Sequence, residues 1–487
     1  MQLSRLFLAT VCTCVALGAA ADPVQVKYPF ANSSNVLKPS AGYTGPTFVL
    51  SHDYPASVSQ PQMPWRAAIQ NQPISVANAS AYAEALKAAI GDDMRVLLQD
   101  YKSWDAARRG WYNEPWLGSK EGDGTREPIH GMYVGSGELV TSLFTKSGLT
   151  KPFTTYVLTY YDRTAANTLQ KIWGSSAMQP VVTKESTQYA EGSIIVKAAF
   201  TTANATIWPV MKGALSWPLY ITTNVTDYPP PPTDPNFSPL RKLTNTYLMQ
   251  FDIIVKDSVS APKTGWVFTT LVYDSRIASP DIWKKMVVMG AQWGNDPQAN
   301  DPSVTNPVLL ENWLNPKAPA YASETLGWGE RLSGPNDGAM NDIVYPYGET
   351  SKAPYSNAKF KYVKNAKNSS CMSCHSSAQW NVAGNTSPSF LLPALGDPLL
   401  QASTLNQTAD FVSPEPGSEL WLKWFQNRKG DEPMDAGSIA ADFDMVLTFK
   451  SLPAWHNATQ VNPNPGALQF DLRGKRVVPL AKSPSAK

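Results

Sequence analysis

Four stretches of this chain read as β-strands, and the last of them carries apolar or aromatic side chains on both faces, which limits the folds open to it. They are TTYVLTYY (154–161), SIIVKAAF (193–200), YLMQFDIIV (247–255) and WVFTTLVY (266–273). In the last, Trp266, Phe268, Thr270 and Val272 point one way and Val267, Thr269, Leu271 and Tyr273 the other. A strand with one polar face can border water; strands apolar on both faces need cover on both. The pattern predicts a mostly antiparallel sheet built into a sandwich-like layer, with KDSVSAPKTG (256–265) as a hairpin loop. Helical spacing of Leu86, Ile90, Met94, Leu97, Leu98 and Tyr101 predicts an amphipathic helix over 80–101, capped by Ser80. A short helix is expected over 281–293, and YPPPPTDPNFSP (228–239) reads as an extended surface loop. The fold class is α+β.

The N-terminus reads MQLSRLFLATVCTCVALGAAADP. Arg5 gives a positive start, Leu6 to Leu17 an apolar run, and Ala19-Ala20-Ala21 before Asp22 a small-residue cleavage site. This predicts a secretory signal peptide over 1–21, hence an exported protein, periplasmic or secreted. No later stretch reaches the roughly 18 apolar residues of a bilayer span, so no transmembrane segment is expected in the mature chain. A net charge of +2 over 487 residues points to no nucleic-acid partner.

Cleavage would remove Cys12 and Cys14, leaving two of the 4 cysteines, Cys371 and Cys374, in the stretch NSSCMSCHSSAQW (368–380). A disulfide between them would close a short loop and gain little. A structural zinc site wants four ligands, and the chain offers these two Cys and His52, His130, His375 and His456. A thioredoxin-type pair belongs at a helix start after a strand, and no strong strand signal precedes Cys371. The third reading is covalent haem: C-x-x-C-H is the attachment pattern of haem c. The two thiols add to the two vinyl groups, and His375 falls beneath the iron as its proximal ligand. Export supplies the compartment in which haem c is attached.

On these residues the chain resembles the c-type cytochrome family. The resemblance implies one covalent haem c on Cys371 and Cys374, with His375 on the iron, in a mainly helical unit. It also implies a loop methionine as sixth ligand before a last helix. Met434, in DEPMDAGS ahead of a helical stretch ending in FKSLP, takes that place. Met445 is the rival, in a row with Phe449 and Leu452, while Ile439, Phe443, Val446 and Leu447 form another stripe. The succession IVKAAF, FDIIVKD, GWVFTTLVYD and C-x-x-C-H is also similar to that in a group of uncharacterised bacterial exported proteins, which implies no activity.

WYNEPWLGSKEGDGTREPIHGMY (111–133) gathers Trp111, Trp116, Arg126, Glu127, His130 and Met132. It reads as an aromatic packing loop, with His130 the candidate if the iron takes a second histidine. His52 and His456 read as surface residues. The expected organisation is a signal peptide (1–21), an α+β sheet domain (22–340), a cytochrome c-like haem domain (341–460) and a basic tail (461–487). The function expected is single-electron transfer to a redox partner protein. The alternatives are a haem enzyme whose open iron faces a pocket in the larger domain, and a binding module with a haem unit attached.

Overall fold

The computed structural model describes residues 42–115, 126–174, 177, 179–222, 241–301, 307–336, 340–347, 359–383 and 414–459. The expected signal peptide, the loop at 228–239 and the tail at 461–487 lie outside the described residues. Nine strands form one sheet: β1 (Trp111–Tyr112), β2 (Tyr133–Leu139), β3 (Phe153–Asp162), β4 (Ile194–Thr201), β5 (Ser216–Thr222), β6 (Arg241–Lys256), β7 (Trp266–Tyr273), β8 (Met286–Gln292) and β9 (Asn312–Leu314). Its main path is β1-β3-β4-β6-β7-β8-β9, with β2 on β3 and β5 on β6. All of these pairings are antiparallel. The four predicted strands are β3, β4, β6 and β7, and every residue of β7 is buried, as two-sided cover requires.

Among the described residues the cover is built of helices and short two-stranded pieces rather than a second large sheet. On one face lie α1 (Pro64–Ala68), α2 (Ala79–Ala89) and α3 (Gly91–Gln99), with Leu86, Met94, Leu97 and Leu98 buried. Tyr160 meets Trp104 and Phe251 meets Trp283 on this face. Side chains alternate along a strand, so Tyr161 and Asp252 face the other way. α4 (Arg163–Trp173) follows β3, capped by Asp162, whose carboxylate accepts the Ala165 N–H.

Two helix expectations change. The 80–101 helix starts at Ala79 and breaks at Ile90, where φ is −105 and ψ 0, and Gly91 opens the second helix where a Cβ would sit 3.1 Å from the Trp283 indole nitrogen. Ser80 therefore lies inside the first helix, not at its cap. In 281–293, Asp281 caps only a single turn, α5 (Ile282–Lys285). MVVMGAQ then pairs with β7 as β8, where sheet hydrogen bonding and burial outweigh helical spacing.

The second face is covered by the C-terminal part of the chain. Its described elements are β10 (Met340–Tyr347) paired with β11 (Lys359–Lys367), α6 (Cys371–His375), and β12 (Gln379–Trp380) paired with β13 (Ile439–Ala440). Helices Glu419–Leu422 and Leu452–Thr459 and a π-helical turn Leu447–Ser451 complete them. Cys371, Met372, Trp380, Phe443, Leu447 and Leu452 join Trp266 and Phe268 in one buried cluster. The core thus runs across the expected boundary at residue 340. Tyr345, Trp421 and Phe449 of these elements pack in a second buried cluster beside it. Among the described residues, no helix is long and apolar enough to cross a membrane.

The two parts are fastened at Asp442. Its carboxylate accepts from Lys256 Nζ at 2.7 Å, Trp266 Nε1 at 2.6 Å and the Tyr189 N–H at 2.8 Å. The Asp442 and Lys256 side chains are only 0% and 12% exposed. Breaking a buried pair leaves an uncompensated charge and costs about 3–5 kcal/mol. Asp442→Ala is expected to lower the urea unfolding midpoint by that equivalent; an unchanged midpoint would show that the segment is held by other contacts.

Candidate functional site

The C-M-S-C-H motif forms the single helical turn α6, and its start is closed by its own serines. Ser370 Oγ accepts the Ser373 N–H at 3.1 Å, and Ser373 Oγ accepts the Ser370 N–H at 2.7 Å. This reciprocal pattern satisfies two end donors. Two bonds hold the turn in place: Gln292 on β8 accepts the Met372 N–H at 3.0 Å, and the Leu332 carbonyl accepts the Cys371 N–H at 2.9 Å. Gly327 lets the preceding chain through, since a Cβ there would lie 1.8 Å from the Ser369 carbonyl oxygen. Met372 is fully buried, so this intervening residue anchors the turn while the cysteines and histidine face elsewhere.

Where they face is a cavity of about 120 Å³, lined by Cys371, Cys374 and His375 and floored by the sheet. The floor includes a row of polar residues brought together by strand register. Thr159 pairs with Lys197, Lys197 with Asp252, and Asp252 with Thr270. Lys197 Nζ lies 2.9 Å from Asp252, and Thr270 Oγ1 donates to Asp252 at 2.8 Å. Tyr133 and Thr159 hydroxyls bond at 2.8 Å at one end. At the other, Thr270 Oγ1 lies 4.0 Å from Cys371 Sγ.

His375 is oriented by the segment that follows β13. Its Nδ1 donates to the Phe443 carbonyl at 2.8 Å, and its ring packs on Phe268 at 4.6 Å between centroids. With the proton on Nδ1, the lone pair is on Nε2. Phe443 presents its carbonyl from a left-handed backbone, φ 70, following Asp442 at φ 45. A bulky residue held there costs on the order of 1–3 kcal/mol and persists only when its surroundings enforce it. Asp442 below and Asp444 above do so. Asp444 accepts from Tyr161 at 3.0 Å, from Tyr189 at 2.5 Å and from the Leu447 N–H at 3.1 Å, which caps the final helical stretch. Burial pushes the Asp444 carboxyl up. Burial, and then Asp444 itself, push buried Glu114 well above the ordinary range.

The sixth-ligand candidates separate. Met445 lines the cavity. Met434 does not; it packs in a neighbouring cluster with Tyr345, Trp421, Trp424, Phe425 and Phe449, against which Cys374 also rests. His130 is buried beneath β5, stacked on Trp217 at 4.1 Å and edge-on to Tyr101 at 4.3 Å. Neither of its ring nitrogens has a hydrogen-bond partner among the described residues, and burial lowers its pKa to about 3. It lies off the cavity wall, in the packing role read for its loop; Trp116 of that loop lies outside the described residues. His52 is partly exposed beside Asp53. His456 is buried, against expectation, because the last helix turns it inward.

By residue type this set suits a haem c: two thiols and an oriented imidazole face one cavity, whose sheet floor mixes apolar side chains with the polar row. Among the described residues no three His, Cys, Asp or Glu side chains converge on a metal-ion site; a haem iron asks only one or two ligands of the protein. The polar floor was missed in the sequence, where Thr159, Lys197, Asp252 and Thr270 stand in four separate strands. The chain matches no protein-family model, no curated protein and no solved structure.

Glu127 closes the His130 loop. It accepts the backbone N–H groups of Ile129, His130 and Met132, and burial raises its pKa from 4.5 to about 7. The folded state therefore retains a proton that the unfolded chain loses, so this contribution is full below pH 4.5 and is lost as pH rises to 7. The linked change is about 3 kcal/mol. Glu127→Gln is expected to flatten the fall in stability over that window, measured by denaturant unfolding; a parallel pH profile would count against the shift.

Proposed function

We propose that this chain is an exported c-type haem protein that binds one haem through Cys371 and Cys374, with His375 on the iron, and passes single electrons to a redox partner protein. The observation that carries the reading is the joint placement of both sulfurs and the His375 ring on one cavity, with Nδ1 held by the Phe443 carbonyl. Bound haem supplies a one-electron iron couple whose potential follows axial ligand, burial and hydrogen bonding.

The chain's own residues do the rest. The Phe443 carbonyl keeps the Nδ1 proton in place, which fixes the tautomer and makes Nε2 a better donor. Phe268 limits rotation of the imidazole. The sheet and the 443–446 segment form the cavity sides. Met445 is the methionine on the cavity wall, so we assign it, ahead of Met434 and His130, as sixth ligand. A mainly helical cytochrome c-like unit is thereby replaced, in this proposal, by a haem site shared between short C-terminal elements and the sheet. A haem enzyme is the second reading. It is favoured by the polar floor, which a carrier does not require.

Denaturing gels of the exported protein are expected to retain a haem stain that resists acidified acetone. Cys371→Ala with Cys374→Ala should abolish it. In the ferric protein, Met445→Ala should remove the weak red-edge charge-transfer band and lower the potential, whereas Met434→Ala should leave both. Loss of the band in Met434→Ala alone would return the assignment to the loop methionine. A wild-type high-spin spectrum that binds CO would favour the enzyme.

A further inference from the structure

The cavity has two chemically different ends. Cys371 stands at the β7 end, beside Thr270. Lys450 stands at the β2 end, with Nζ 5.7 Å from the Tyr133 ring centroid. Lys197 lies on β4, directly across from Thr159, which bonds the same Tyr133. Both lysines line the cavity. We propose that Lys450 and Lys197 hold the propionates of a haem whose opposite edge is bound to Cys371 and Cys374, so that the ring lies along the polar cross-strand row.

The inference rests on the cavity being the haem site. From Thr270 to Lys197 is two strand steps, about 10 Å at the usual interstrand spacing, and Thr159 and Tyr133 lie further along the same direction. In haem the propionates leave the porphyrin edge away from the vinyl-bearing carbons. Anchoring the vinyl edge at Cys371 and Cys374 therefore sends the carboxylates toward the lysines. Carboxylates buried there need charged or hydrogen-bonding partners, and the Tyr133 and Thr159 hydroxyls stand beside the lysines to supply more. Lys197 shares its hydrogen bonds between Asp252 and a propionate, and Lys450 supplies the second cation on the cavity wall.

The test uses the exported holoprotein, after wild type has been shown to carry covalent haem. Lys450→Gln is compared with Lys317→Gln, which removes the same charge from an exposed position. Loss of a cation beside the propionates disfavours the reduced haem. At fixed ambient potential the oxidised-to-reduced ratio should rise about tenfold in Lys450→Gln, a 59 mV fall for a one-electron couple. The propionate carboxylate bands in the redox infrared difference spectrum should move. Lys317→Gln should change neither, and Lys450→Arg should restore both. If Lys197→Gln fails to fold by stranding Asp252, Lys197→Met with Asp252→Asn takes its place and should also move the bands. Covalent haem with potential and bands equal in Lys450→Gln and Lys317→Gln would overturn the anchors alone, including the case where the lysines serve a separate carboxylate ligand. Wild type without covalent haem would overturn the cavity reading and the anchors with it.

Discussion

Three consecutive residues tie this structure together. Asp442 takes Lys256, Trp266 and the Tyr189 backbone from below. Phe443 offers its carbonyl to His375. Asp444 takes Tyr161 and Tyr189 and caps the last helical stretch. Apart from the cap on Leu447, each of these bonds joins the C-terminal segment to the sheet, to the chain leading into β4 or to the motif. The left-handed backbone at Asp442 and Phe443 is the local cost, and the two carboxylates offset it by meeting donors that would otherwise be buried alone. Charge-assisted bonds of this kind are the stronger class. Without the turn, the sheet face behind the cavity would be open to water and His375 would have no fixed tautomer.

The sheet sets the second constraint. Two-sided burial asks for apolar residues on both faces, and most positions comply. The row Thr159, Lys197, Asp252 and Thr270 does not. A buried ion pair in a sheet floor rarely adds net stability against apolar residues of similar volume. Its retention beside a cavity suits a ligand with a polar edge, which an apolar floor would reject. This is the same logic by which pockets combine a largely apolar lining with a few placed polar groups.

Much of this was legible in the sequence, and the remainder failed for identifiable reasons. The four predicted strands appear as β3, β4, β6 and β7 because alternation and β-branched content agree there. The C-M-S-C-H motif carries the haem proposal by its spacing, and no strand signal was read before Cys371, whereas β11 ends at Lys367. MVVMGAQ misled because a short apolar run fits helix and strand equally, and only pairing with β7 decides. Met434 was favoured over Met445 by its place in a turn ahead of the final helix. Nothing in the sequence reveals that Phe443, a bulky residue, turns left-handed and brings Met445 onto the cavity wall. The polar row was invisible for another reason: each member is one polar residue in an otherwise apolar strand, and only register makes them neighbours. The helical stripe read from Ile439 onward holds from Met445 but not through Phe443, where the turn intervenes.

The most direct test of the account is the mass of the tryptic peptide that spans residues 368–423 and contains both cysteines. Taken from the exported protein after denaturation and alkylation, it is predicted to carry one haem, with Cys371 and Cys374 both closed to the alkylating reagent. The same peptide with both thiols alkylated and no haem attached would contradict the account at its centre.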